Sequence, residues 1–349
     1  MNPTTMRPAP LSTTGIGSLP HKEAQKALDI IFQYLPQAPF WPQLPKRNIR
    51  EGMVAQYSER LPGLKVTDDG LQYDAKTAEQ ELEIFYERII GMDLDYFRIG
   101  ESYAAGLYAF HAALKTRGLS DVKFIKCHVT GPFTFTAGIK NDSGVALIHD
   151  EVIMQAMAKG LVMKALWQIE FFKEFGKPII IFIDEPYLGC FGSAYTALTR
   201  ETAVKTLKEF SAALKGPDVT VGVHCCGNTD WSIFTDVETI DIINFDAFGY
   251  LDKLILYGQD IGAFLKRSGI LCWGIVPTQD FQDGLAMELL AGKIRSGIDA
   301  LVKKGASRDL LSEQLLLSPS CGLGTLDVKT SEHIFRLLAG LSAYIRKAP

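Results

Sequence analysis

Pro178-Ile179-Ile180-Ile181-Phe182-Ile183-Asp184-Glu185-Pro186 is the stretch on which the fold turns. Its apolar, largely β-branched run is too short for a helix and shows no polar alternation, as expected of a strand buried on both faces of a parallel sheet. Two carboxylates and a proline follow at once. Charge appearing abruptly at a strand end fits an α/β fold whose chemistry lies at the C-terminal ends of its strands.

The same pattern recurs on both sides. Upstream, Thr14–Ser18, Tyr96–Ile99 and Val122–Val129 read as strands; downstream, Val219–Val223, Asp241–Phe245, Ile270–Val276 and Gln314–Leu317 do. Helical stretches separate them, over Lys22–Tyr34, Thr77–Ile90, Ala104–Thr116, Glu151–Phe175, Glu201–Leu214, Trp231–Val237, Asp260–Lys266, Gly284–Lys304 and Thr330–Arg346. Eight strands alternating with helices predict a single-domain (β/α)8 TIM barrel over residues 11–349, after a tail of residues 1–10. The alternative is an open doubly wound sheet. Its glycine fingerprint is missing, because Gly15-Ile16-Gly17 runs on into Ser18-Leu19-Pro20. Prolines at 36, 39, 42, 45 and 62 punctuate an irregular insertion after the first helix, too long for an ordinary connection and read as either a functional segment or a lid.

Composition narrows the function. Of 349 residues, 36 are Lys or Arg and 40 are Asp or Glu, for a net charge of −4, which gives no footprint for nucleic acid or an anionic membrane surface. Six cysteines are too sparse for a disulfide scaffold and suit a reducing compartment. The first residues carry no apolar leader and no apolar run is long enough to span a bilayer, so the expectation is a cytoplasmic protein.

The unusual residues fall at strand ends. Ser18, Glu101, Thr130, Asp184, His224, Asp246, Gln279 and Cys321 each close a predicted strand. His224 and Cys226 are two positions apart, so in extended chain they share a face. Cys321 closes the last strand. One imidazole and two thiolates suit Zn2+ and leave one position of a tetrahedron for a substrate. Asp246 is a candidate fourth ligand, or else a cap. Asp184 could hold a substrate ammonium. Cys127, Cys190, Cys225 and Cys272 read as packed apolar residues, Cys225 facing away from the ligands on either side of it.

These pieces carry a resemblance. Thr14-Gly15-Ile16-Gly17-Ser18, Ile183-Asp184-Glu185-Pro186, His224-Cys225-Cys226 and Pro319-Ser320-Cys321-Gly322-Leu323 resemble, in this order, the catalytic C-terminal half of cobalamin-independent methionine synthase. The His224 and Cys321 runs are also similar to the methylcobalamin:coenzyme M methyltransferases, and both groups belong with uroporphyrinogen decarboxylase in a superfamily of (β/α)8 barrels. The resemblance implies zinc held by His224, Cys226 and Cys321, with Asp246 where the methionine synthases have a glutamate. It implies that Ile16, Gly17, Ser18 and Asp184 hold the amino-acid part of homocysteine. The implied reaction binds the thiol as a zinc thiolate and methylates it to methionine.

The chain departs from that family on the donor side. The implied histidine is missing from Gly274-Ile275-Val276-Pro277-Thr278-Gln279, and no tryptophan follows Thr130-Gly131-Pro132. An N-terminal barrel has no room in 349 residues. The implied homocysteine-gripping glutamate falls near Arg47, with Glu51 as its shifted substitute. Loss of a general acid costs roughly 10²–10⁴ in rate where a proton must be delivered. The expectation is therefore a methylcorrinoid donor such as methylcobalamin, carried on a separate corrinoid protein. Competing expectations are another acceptor thiol such as coenzyme M, a tetrapyrrole decarboxylase, and a non-catalytic barrel that binds zinc or docks a corrinoid protein.

Overall fold

The computed structural model describes residues 7–347 except 194, 195 and 197, so residues 1–6 of the expected tail lie outside the described residues. Two short strands, β1 (Leu64–Thr67) and β2 (Gly70–Tyr73), pair antiparallel as a hairpin that the sequence reading does not anticipate. Its two-residue turn, Asp68-Asp69, leads into Gly70 at φ +126°, backbone that favours glycine. The main sheet has six parallel strands in chain order: β3 (Ile125–Thr130), β4 (Ile179–Asp184), β5 (Val219–Cys225), β6 (Ile242–Phe245), β7 (Ile270–Val276) and β8 (Leu315–Pro319). Every residue of all six is buried, which explains their unbroken apolar runs.

Period-two alternation sorts these side chains into two cores. Cys127, Val129, Ile181, Ile183, Val221, Val223, Cys225 and Phe245 pack in the large cluster with the surrounding helices. Phe124, Ile180, Phe182, Ile242, Ile270, Cys272 and Leu316 form a separate plug on the concave face, joined by Ala38. Helix Glu151–Phe172 starts at Asp150, whose carboxylate caps the Ile153 amide at 3.1 Å. From this helix Gln168 donates to the His128 carbonyl at 3.0 Å and accepts from Trp41 at 2.9 Å.

Of the eight predicted strands, two do not form as regular strands. Tyr96–Ile99 is a turn leading into loop rather than a strand, and Thr14–Ser18 makes only isolated bridges. The proline-rich insertion supplies what Tyr96–Ile99 does not. Parallel bridges join Thr13 to Leu317, Ser18 to Gln43 and Phe40 to Lys126. Segments 11–19 and 38–43 thus lie between β8 and β3. The physical reason is the prolines: Pro39 and Pro42 have no N–H to give a ladder, so this stretch bonds sparsely and its sequence does not read as a strand. Residues 38–44 are all buried, as are 55–58, so this part of the insertion is wall and not an exposed flap. Among the described residues no helix is long and apolar enough to cross a membrane.

Candidate metal centre

His224 is the penultimate residue of β5, Cys226 follows that strand directly, and Cys321 lies two positions beyond β8. In the sheet β5 and β8 are separated by β6 and β7. Three steps of about 4.8 Å would put them roughly 14 Å apart on a flat sheet. Instead one ligand atom from each of His224, Cys226 and Cys321 lies within 4.8 Å of the others. Sheet curvature therefore makes the site.

The donor set fits zinc. Imidazole and thiolate are its usual ligands, at about 2.0–2.3 Å from the ion, and the observed spread admits an ion between them. The two sulfurs act on each other: the hydrogen bond with Cys226 and the nearby His224 hold the Cys321 thiol well below the ordinary thiol range against the effect of burial, while the same contact, aided by burial, pushes Cys226 up. His224 Nδ1 lies 2.5 Å from Asn244 Oδ1, leaving its other ring nitrogen for the sulfurs. Cys225 points to the helical layer, as expected, and Cys127 and Cys272 are buried; Cys190 is exposed, because it ends a short 3-10 turn outside the sheet.

Asp246 lies outside this triad. It follows β6, and its Oδ1 accepts the Gly249 amide at 2.7 Å, which is the work of a loop cap. Burial raises its pKa, the loop amides oppose the rise, and Cys321 and His224 are near enough to act on it.

Asp184 closes β4 directly beside Thr130 on one strand and His224 on the other. Burial pushes its carboxyl up to about 6, against the pull of Lys126 and His224 and with a push from Cys321. Its Oδ1 is buried without a hydrogen-bond partner. Glu185, one residue on, is committed elsewhere. It accepts the amides of Phe133 and Thr134 at 3.0 and 2.8 Å and the Thr134 hydroxyl at 2.6 Å, so it caps the short helix Pro132–Ala137.

The residues expected to hold the substrate are positioned by a less regular route. The Leu323 amide donates to the Ser18 carbonyl at 2.9 Å and the Gly324 amide to the Ser18 hydroxyl at 3.2 Å, which ties residues 16–18 to the Cys321 loop. The carbonyls of Ile16 and Gly17 are already engaged, by Lys126 Nζ and by the Gln43 amide. Glu51 is wholly buried at the end of the turn Ile49–Glu51; Arg47 takes one carboxylate oxygen and the other has no partner. Burial raises its pKa and Arg47 opposes the rise. The Thr130 hydroxyl donates to the Met53 carbonyl at 2.7 Å, so this turn is anchored at the end of β3.

Sequence reasoning missed Lys126, His128 and Asn244. Lys126 is buried over the Phe182 ring, and burial brings its ammonium down to about 8, with Asp184 opposing. His128 stacks on Trp41 at 3.9 Å, and neither ring nitrogen has a partner. Burial, then Lys126, holds it well below the ordinary histidine range, so it is neutral. The signal was available: Lys126, His128 and Thr130 alternate with Cys127 and Val129, placing polar side chains on the concave face of an otherwise apolar strand. A wide groove between helices Glu151–Phe172 and Arg200–Ala213 contains none of the triad.

No family model matches the chain, and no curated protein does. Among solved structures, the chain is similar to a B12-independent methionine synthase from Shewanella sp. W3-18-1 in complex with selenomethionine, with TM-score 0.60 and 16% identity over 97% of this chain and 98% of that one. A putative vitamin-B12-independent methionine synthase from Listeria monocytogenes aligns with TM-score 0.45 and 16% identity, over 78% of this chain and 89% of that one. The first likeness shows a shared fold along nearly the whole of both chains.

Proposed function

We propose that this chain is a zinc-dependent S-methyltransferase acting on a small thiol, homocysteine, to give methionine. The observation that carries the reading is the convergence of His224, Cys226 and Cys321 across three strand steps of a curled sheet. The fold it shares with a structure described as a methionine synthase supports it. We also read the bridged segments 11–19 and 38–43 as the first two staves of a closed barrel.

Zinc in this site would supply Lewis acidity, lowering the pKa of an incoming thiol from about 8.5. The residues do the rest. Three protein ligands leave one tetrahedral position open. The free oxygen of Asp184 accepts the acceptor's ammonium, and Lys126 and His224 keep that carboxylate ionised at neutral pH despite its burial. Ser18, tied to the Cys321 loop, borders the same mouth. Glu51 offers a second unpartnered carboxylate oxygen on the neighbouring turn.

The donor expected from the sequence is a methylcorrinoid, because residues 274–279 carry no imidazole. The structural neighbour is described as B12-independent, which lends that donor no support. Anaerobic assay of zinc-loaded protein with homocysteine decides both points, using methylcobalamin in one arm and a methylated folate in the other. Methionine above the zinc-free control in either arm is expected. Its absence from both, with a panel of other thiols also inert, would end the proposal.

A further inference from the structure

Asn244 sits in the middle of β6, fully buried, in register with His224 on one side and Cys272 on the other. Its carboxamide has no freedom. Nδ2 donates to the Cys272 carbonyl at 2.9 Å and to the Ser318 hydroxyl at 2.8 Å, using both of its hydrogens. The Ser318 hydroxyl in turn donates to the Pro319 carbonyl at 2.9 Å, so Ser318 is free to accept. Rotating the amide by half a turn would set its oxygen against the Cys272 carbonyl and its NH2 against the imidazole, losing both donated bonds. Oδ1 therefore faces His224 Nδ1, at 2.5 Å.

An amide oxygen only accepts. Nδ1 of a neutral His224 must carry the hydrogen, and the lone pair then lies on Nε2, the nitrogen left for the sulfurs. The other tautomer would hold two acceptors against each other and put a hydrogen where an ion must bind. The network also crosses the sheet, from β5 through Asn244 on β6 to Ser318 on β8, three residues before Cys321.

We propose that Asn244 is a positioning residue that selects the metal-binding tautomer of His224 and, through Ser318, fixes that imidazole relative to the Cys321 strand. The assignment rests on the zinc reading of the site and adds the residue that prepares it. Because the partner is an amide and not a carboxylate, the hydrogen bond orients the ring without bringing a buried charge.

The experiment compares the full chain with Asn244→Leu, which removes the acceptor, and Asn244→Asp, which keeps it. Zinc affinity is read by chelator competition and site geometry from the absorption spectrum of the cobalt(II)-substituted protein. Asn244→Leu should lose about 10–100-fold in zinc affinity and alter the cobalt spectrum. Asn244→Asp should stay within a few-fold and keep the spectrum. Leu behaving as wild type, or Asp losing as much as Leu, overturns the assignment. Should Asn244→Leu not fold, the nitrogen-15 imidazole spectrum of the zinc-loaded wild type reads directly which nitrogen keeps its hydrogen; a His224 hydrogen on Nε2 overturns it equally. No thiol or methyl donor enters these measurements. A chain that binds zinc yet methylates nothing sinks the functional proposal and leaves this one standing.

Discussion

The six-strand arc and the irregular quarter beside it are built differently, and under the proposed function they would do different work. The arc, β3 to β8, is regular, buried and evenly paired, and it carries His224, Cys226 and Cys321 at or just beyond its strand ends. The quarter, segments 11–19 and 38–57, is proline-broken and bonded to the sheet by isolated bridges, and it carries Ile16, Gly17, Ser18 and Glu51. A metal needs donors held to a fraction of an ångström, which strands supply. An acceptor needs shape and scattered polar groups, which irregular backbone supplies. Asp184 stands at the border, on the arc but with an oxygen left free.

That division can be broken by experiment. The largest effect should come from the arc. Cys321→Ser or Cys226→Ser should abolish stoichiometric zinc, measured by metal analysis after dialysis, while circular dichroism stays that of the folded chain. Zinc retained at one equivalent in both variants would mean that the arc does not hold the ion. Next, Asp184→Asn should leave zinc content intact and cost about 2–5 kcal/mol in kcat/KM for an amino-acid thiol, the range for truncating one side of a buried charge pair. A thiol lacking the ammonium should lose far less, and equal losses for both would remove Asp184 from acceptor binding.

Smaller effects test the quarter. A Cβ on Gly17 would lie 3.0 Å from the His128 ring. Gly17→Ala should therefore destabilise by about 1–3 kcal/mol in a denaturant melt, the usual cost of overpacking. An unchanged midpoint would show that the quarter yields where the arc would not. The smallest effect concerns His128 itself. Its folded-state pKa is depressed by burial and Lys126, so below the unfolded value of about 6.5 the unfolded chain binds the extra proton. Its share of stability is thus present above that pH and lost as pH falls, by up to about 1.4 kcal/mol per pH unit. His128→Met should flatten the fall in stability below pH 6.5. Parallel curves for the two proteins would contradict a neutral, enclosed imidazole.

The arc was legible in the sequence because burial on both faces leaves a plain mark. Ile179–Ile183 and Val219–Val223 are short β-branched runs, and the polar residues that close them stand out. His224 and Cys321 could be paired because both ended such runs. The quarter was illegible for the opposite reason. Phe40–Gln43 lies between prolines that forbid a regular ladder, so Tyr96–Ile99, with the better strand composition, was the wrong choice for the second strand. Asn244 hid inside Ile242–Phe245, where one polar residue in four shows its role only once its three partners, on β5, β7 and β8, are known.

Strand order has one more consequence. His224 and Cys321 are 97 positions apart in the chain, and an ion shared between them would act as a removable cross-link over that length. Closing so long a loop in the unfolded chain is entropically unfavourable, and that is where a metal clip gains most. Chelation should then loosen the molecule well beyond its mouth: β6 and β7, spanned by the clip, would open to hydrogen exchange before β3 and β4, which lie outside it.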